Sequence, residues 1–178
     1  MKMRKLFIIC LALASFFACQ EAPKNNAPTD PEAELAAITD VVHNFYKWYT
    51  YSDREHINYI DAKGELSKLD MAKVAAYHAQ MMKSGFLSQT FIDNDMAYLK
   101  KYEAIWAKNK ENDNEFPLSG MDHNRVFCGQ DNDPKDYISG TLKVDLIGTN
   151  QAKTTKGDSK LELVKENGKW LISKISCE

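Results

Sequence analysis

The sequence predicts an α+β domain in which N-terminal helices pack on an antiparallel sheet. Between about residues 30 and 110, apolar residues recur at three- and four-residue steps, which is the spacing of amphipathic helices. From residue 138 onwards they alternate with polar residues, as they do in strands with one buried face. The dipeptide Asn167-Gly168 is a strong signal for a tight hairpin turn near the end of the chain. Helices and strands thus occupy separate parts of the chain.

The first twenty residues have the pattern of an export signal. Three basic residues among the first five precede an apolar run at 6–17, which is too short to span a bilayer. The residues Phe-Phe-Ala before Cys19 resemble the lipobox of bacterial lipoproteins, in a form with aromatic residues associated with the Bacteroidetes. We therefore predict that residues 1–18 are removed and that lipidation of Cys19 anchors the protein to a membrane of the cell envelope, on the periplasmic or surface face of the outer membrane. The alternative is ordinary cleavage nearby, which would leave a free thiol.

The rest of the chain divides into a tether and one domain. Residues 19–33 are polar, contain proline and lack periodicity, so they are predicted to be a flexible tether. Residues 34–178 are long enough to bury a hydrophobic core. The chain has a net charge of −2, and loss of its three N-terminal basic residues lowers this to −5. Because basic residues form no cluster, nucleic acid is not an expected partner.

A first helix is predicted to begin at Asp30, a capping residue that is followed by proline and by acidic residues. The stretch FYKWYTY at 45–51 places five aromatic residues in seven positions. Tyr46 and Trp48 lie at the border of the apolar stripe, so they are candidates to line the rim of a cavity, whereas Tyr51 falls on the opposite side. The stripe itself is predicted to be buried and consists of Leu35, Ile38, Val42, Phe45 and Tyr49.

Two further helices are predicted. The second runs from about residue 69 to 84, and Gly85 supplies the left-handed residue that ends it. Ser88 is a plausible cap for the third, which runs to about residue 109. Apolar positions of the third helix keep helical spacing and include Phe91, Tyr98, Tyr102, Ile105 and Trp106.

The C-terminal part predicts strands. Residues 138–146 alternate between apolar and polar side chains, which predicts a strand across this range. Counting outward from the Asn167-Gly168 turn pairs Lys165 with Trp170, Leu163 with Ile172 and Leu161 with Lys174. The face predicted to meet the helices consists of Leu161, Leu163, Trp170 and Ile172.

Two cysteines of the mature domain are candidates for a disulfide. Cys10 would leave with the signal and Cys19 would carry lipid, so Cys128 and Cys177 remain in a compartment where disulfides persist. Two separately buried thiols are the alternative, because the sequence does not give the distance between the two Cα atoms.

Helices followed by a sheet that ends in the hairpin LELVKENGKWLISKI resemble the nuclear transport factor 2-like (NTF2-like) superfamily, whose fold is a cone-shaped α+β structure. Within it, FYKWY in the first helix and FCGQD at 127–131 resemble the domain-of-unknown-function 3828 (DUF3828) family of exported bacterial proteins. The resemblance extends over about residues 38–177. It implies a curved sheet wrapped against a long first helix, with a cavity at the wide end. It implies no activity, since the family has no settled one.

The resemblance also suggests which residues could meet at the mouth of that cavity. Enzymes with cone folds include isomerases and hydratases that use Asp/His or Asp/Tyr sets. No such pair has a diagnostic spacing in this chain, so no catalytic residue is predicted. The candidates for ligand binding are Trp48, Tyr46, His78, Tyr102 and Asp131.

No metal ion or other cofactor is expected. His43, His56, His78 and His123 lack the spacing of zinc ligands. The loop DNDPKD at 131–136 offers oxygen ligands but lacks the later Gly and Glu of a calcium loop, so an exposed turn is favoured. The sequence contains no phosphate-binding loop, dinucleotide fingerprint or Gly-x-Ser-x-Gly motif.

The predicted function is therefore binding. We expect a lipid-anchored envelope protein whose domain binds a small ligand or a partner protein. An isomerase-like or hydratase-like enzyme of the same fold is one alternative, and an immunity protein against an envelope toxin is another. A closed, apolar cavity with one buried carboxylate would favour the enzyme.

Overall fold

The computed structural model describes residues 30–53, 60–61, 66–112, 117–129 and 133–177. The predicted export signal, Cys19, most of the predicted tether and His56 lie outside these residues. In the described part, helices precede an antiparallel sheet with strand order β3-β4-β5-β6, which confirms the α+β class. The elements of this part are α1 (Pro31–Tyr51), β1 (Ile60–Asp61), β2 (Lys68–Leu69), α2 (Met71–Lys83), α3 (Gln89–Asn109), a 3₁₀ helix (Pro134–Tyr137), β3 (Val144–Ile147), β4 (Gln151–Lys156), β5 (Ser159–Glu166) and β6 (Lys169–Cys177).

Helix α1 begins where the sequence predicts. The Asp30 carboxylate accepts a hydrogen bond from the Glu32 amide at 3.1 Å, and Pro31 occupies the first turn. Ile38, Val42 and Phe45 are fully buried on the predicted stripe. These residues hold α1 against the sheet.

The prediction that Leu35 is buried is wrong, because its side chain is 37% exposed. Its neighbour Glu34 is buried instead. The two oxygens of Glu34 accept hydrogen bonds from Lys165 Nζ and Trp170 Nε1, both at 2.5 Å. A carboxylate paired in this way can take a core position that the hydrophobic pattern assigns to leucine.

Helices α2 and α3 follow the predicted boundaries closely. Asp70 caps α2 by accepting bonds from the amides of Ala72 and Lys73. Gly85 follows α2 with φ of 72°, as predicted for a left-handed stop. The Ser88 hydroxyl accepts from the Phe91 amide and caps α3.

The strand predicted over residues 138–146 is shorter than expected. Ile138 ends the 3₁₀ helix, and Gly140 has φ of 90°, which an extended strand does not allow. Strand β3 therefore begins only at Val144. Strand β4 was not predicted from the sequence, because it carries mostly polar residues.

The C-terminal hairpin confirms most of the predicted register. Lys165 pairs with Trp170, and Leu163 pairs with Ile172. The predicted pairing of Leu161 with Lys174 is wrong, because a bulge between Glu162 and Leu163 shifts the register by one residue and places Leu161 opposite Ile175. The buried face is nevertheless as predicted: Leu161, Leu163, Trp170 and Ile172 are all buried.

The helices cover two apolar clusters. The larger one joins α1 to the inner face of the sheet. The smaller one lies between α2 and α3 around Leu99 and Trp106, both fully buried. The Trp106 indole donates a hydrogen bond to the Ser119 carbonyl at 2.9 Å and so holds Ser119 against α3. Ser119 directly precedes the loop at 120–126, which forms one wall of the cavity described next.

Candidate functional site

A cavity of about 370 Å³ lies between α3, the loop at 120–126 and the end of β6. Four aromatic side chains from α2 and α3 form much of its wall: Tyr77, Phe91, Tyr98 and Tyr102. The end of β6 contributes residues 174–177 on the other side. A cavity of this size and composition is within the range of small-molecule sites.

A largely buried cluster of polar side chains centred on Asp95 forms the polar part of the cavity. The Asp95 Oδ1 atom lies 2.7 Å from Arg125 Nη1, and Oδ2 lies 2.8 Å from His78 Nε2. The three side chains are only 9%, 15% and 8% exposed, respectively. Both oxygens of this carboxylate are therefore engaged by side chains of the protein itself.

The loop that carries Arg125 is held by a set of hydrogen bonds to its backbone. Asn124 Oδ1 accepts from the amides of Val126 and Phe127 at 2.9 and 3.2 Å. The Val126 carbonyl accepts from the hydroxyls of Tyr46 and Ser159, at 3.2 and 2.9 Å. These contacts reach the loop from behind, from α1 and from β5, so the position of Arg125 depends on the core.

Two tyrosines of α3 form a pair on the cavity wall. The rings of Tyr98 and Tyr102 lie 4.5 Å apart, and the Arg125 guanidinium lies over the Tyr98 ring at 4.9 Å. The Tyr98 hydroxyl donates to the Gly120 carbonyl at 2.8 Å. Burial, reinforced by the neighbouring Tyr102, raises the pKa of Tyr98 to about 12, so its hydroxyl keeps its proton at neutral pH.

Gly120 fixes the place of Tyr102. Its φ is 76°, and a Cβ atom at this position would lie 2.5 Å from the Tyr102 ring. Only glycine combines this backbone conformation with so close an approach. One glycine therefore sets the positions of both tyrosines, through its carbonyl oxygen and through its missing side chain.

A disulfide joins the two walls of the cavity. Cys128 follows the loop that carries Arg125, and Cys177 lies at the end of β6. Their Cα atoms are 5.1 Å apart, within the usual range for a disulfide. The bond closes a separation of 49 residues and connects the loop directly to the last strand.

The structure brings together only some of the residues that the sequence suggested. Tyr102 lines the cavity, and His78 supports it from behind through Asp95. Trp48 lies in a separate shallow groove with Asp53 and Lys83. Asp131 lies outside the described residues.

Tyr46 is not a residue of the cavity rim. It is fully buried, with its ring 5.6 Å from that of Phe127 and 4.9 Å from that of Tyr137. Burial raises the pKa of its hydroxyl, which remains a donor to the Val126 carbonyl. The loop at 124–129 and the 3₁₀ helix pack against Tyr46. They cover a side of α1 that the apolar stripe alone would place at the boundary between core and solvent.

Asp95 could have been found from the sequence. Phe91, Tyr98 and Tyr102 lie on one stripe of α3, and Asp95 occupies the position four residues after Phe91 and three before Tyr98. A carboxylate on an apolar stripe needs a partner, so it marks either a buried ion pair or a site. Arg125 had no comparable signal, because it lies in an irregular loop.

The described residues contain neither a metal-binding group nor a membrane-spanning helix. In this part of the chain, no three His, Cys, Asp or Glu side chains are grouped closely enough to hold a metal ion. Across the same residues, no helix combines the length and the apolar character needed to cross a membrane.

Comparison of this chain with protein-family models, with curated proteins and with solved structures finds no match. The resemblance to the NTF2-like superfamily and to the DUF3828 family therefore stays a prediction based on the motifs quoted above.

Proposed function

We propose that this protein binds a small organic molecule in the cavity between α3, the loop at 120–126 and the end of β6. The observation that supports this most is the aromatic wall around a space of about 370 Å³. Removing an aromatic or aliphatic ligand from water into such a space is favourable, and the wall is held by the core and by a disulfide rather than by mobile side chains. Binding thus requires little rearrangement.

Binding is favoured over catalysis by the state of Asp95. An acid or base must exchange a proton with the substrate, and its oxygen must be available to do so. Here the two Asp95 oxygens face Arg125 and His78 at 2.7 and 2.8 Å. Because each of its oxygens already contacts a side chain of the protein, the Asp95 carboxylate stabilises the cavity wall and is poorly placed to accept a proton from a ligand.

We further propose that this domain is a member of the NTF2-like superfamily, is exported, and is held at the cell envelope by lipid on Cys19. The lipobox-like residues before Cys19 and the order of helices and strands support this. A binding domain on a lipid anchor would act on molecules that reach the envelope from outside or from the periplasm.

The test of binding uses a neutral fluorescent probe, N-phenyl-1-naphthylamine, whose emission rises in apolar surroundings. We expect saturable binding with one site per chain. The variant Ile175→Trp, at the end of β6, should take up part of the cavity and reduce this binding by roughly tenfold. Ile147→Trp is the matched control, because Ile147 lies on β3 of the same sheet and is not part of this cavity.

Both variants must first give the circular dichroism spectrum and cooperative melting of the parent protein. Equal probe binding by the parent and by the folded Ile175→Trp variant would contradict the proposal. Loss of binding in both folded variants would also contradict it, since the probe would then report a different surface of the sheet.

A further inference from the structure

We propose that the ligand of this cavity is an organic anion, with an aromatic or aliphatic body against the tyrosines and an anionic group near Arg125 and Lys174. This inference rests on the proposed function, because it names the chemical class of the molecule that the cavity binds.

The wall of the cavity carries two cationic side chains. Among the described residues that line the cavity, Arg125 and Lys174 are cationic, and Asp95 is the carboxylate that opposes them. His123 also lines it, and its Nδ1 atom lies 2.9 Å from Asp122 Oδ1. Counted over these lining side chains alone, the formal charge is about +1, and the carboxylates of Asp122 and Glu162 lie beside the lining against His123 and Lys174. Cationic side chains next to an apolar wall attract the anionic end of a ligand.

Arg125 is held between an aromatic ring and a carboxylate. Its guanidinium lies over the Tyr98 ring at 4.9 Å, and Nη1 contacts Asp95. The positive charge of the Arg125 guanidinium is therefore held in one position beside an aromatic surface. A guanidinium presents several N–H groups in one plane, which suits carboxylate, sulfate and phosphate groups. An anion at this point would have its apolar part against the adjacent tyrosines.

Lys174 contributes to the lining at the edge of the cavity. Its Nζ atom is 3.9 Å from Glu162 Oε1, and its side chain is 45% exposed. An exposed pair at this distance is weak, so little interaction energy is lost if the Lys174 ammonium leaves Glu162 for another anion. Lys153 provides a close comparison, since its Nζ atom lies 4.0 Å from the same Glu162 oxygen but the residue does not line this cavity.

The experiment compares two probes that differ by one anionic group. N-phenyl-1-naphthylamine is neutral, and 8-anilinonaphthalene-1-sulfonate has the same rings with a sulfonate. Dissociation constants are measured by fluorescence titration of the folded protein at low and at high salt. We expect the sulfonate probe to bind roughly tenfold more tightly at low salt and to lose most of this advantage in 1 M salt, where charges are screened beyond about 3 Å.

Variants that remove one cationic side chain then show which residues attract the sulfonate group. Lys174→Gln should weaken binding of the sulfonate probe by roughly threefold to fivefold and should affect the neutral probe less than the sulfonate probe, whereas the control Lys153→Gln should change the binding of neither probe. Arg125→Gln should abolish the preference for the anion, and Arg125→Lys should retain part of it because the charge remains. If Arg125→Gln does not fold, Arg125→Lys and Lys174→Gln still decide the matter.

The outcomes separate this inference from the proposed function. If neither probe binds, the proposed function fails. If both bind with equal affinity and Ile175→Trp blocks both, the cavity binds ligands but the anion preference is wrong. The anion preference is likewise wrong if Lys153→Gln and Lys174→Gln lower the affinity for the sulfonate probe equally. The probe would then bind at the outer face of the sheet.

Discussion

Replacing Asp95 by Asn should destabilise the domain strongly, although the two side chains have almost the same shape. The carboxylate lies 2.7 Å from Arg125 Nη1 and both side chains are largely buried. With about 4 Å between the charge centres and an effective dielectric constant of about 20, the attraction is worth roughly 4 kcal/mol. Desolvation of the pair and the remaining 15% exposure of Arg125 offset part of this. We therefore expect the free energy of unfolding to fall by about 3 kcal/mol.

A double-mutant cycle isolates the interaction between the two side chains. Asp95→Asn, Arg125→Met and the double variant are compared by urea unfolding at pH 7, followed by tryptophan fluorescence. The coupling energy should be about 1.5–3 kcal/mol, because the residues are in contact and buried. The same cycle on Lys153 and Glu162, an exposed pair 4.0 Å apart, should give less than about 0.5 kcal/mol. Equal coupling energies in the two cycles would refute the reasoning.

Three further predictions concern the cavity, its disulfide and the anchor. Gly120→Ala should lower the affinity for N-phenyl-1-naphthylamine, because the new Cβ displaces the Tyr102 ring; unchanged affinity in the titration would contradict this. Reducing the Cys128–Cys177 bond should lower the free energy of unfolding by about 4 kcal/mol in the chain-entropy model, and thiol labelling of unreduced, denatured protein should find neither cysteine free. Cys19→Ala should move the protein from the membrane to the soluble fraction; retention in detergent-requiring material would place the anchor elsewhere.

The sequence predicted the elements whose signals are local. Helix α1 begins at a capping aspartate, α2 is followed by a left-handed glycine and the last hairpin turns at Asn167-Gly168, each as expected. Where tertiary contacts outweigh local pattern, the prediction failed. Glu34 is buried because Lys165 and Trp170 bind its carboxylate, and this partnership spans more than a hundred residues of sequence.

The candidate site was harder to predict for the same reason. It is assembled from α3, an irregular loop and the end of β6, which are far apart in sequence. Tyr102 and His78 were singled out, but Arg125 lies in a loop without periodicity, so no pattern indicates which way it faces. Trp48 was grouped with them because it lies at the edge of the helical stripe and because the family resemblance implies a cavity mouth there. Helical geometry gives the face of one helix and does not reveal which element covers its edge.

A crystal structure of the protein with N-phenyl-1-naphthylamine would show whether the cavity between α3, the loop at 120–126 and the end of β6 binds a small organic molecule. We expect density for the probe against the rings of Tyr98 and Tyr102, with Ile175 on the opposite wall. Density for the probe only at another surface, with the cavity holding ordered water alone, would contradict it.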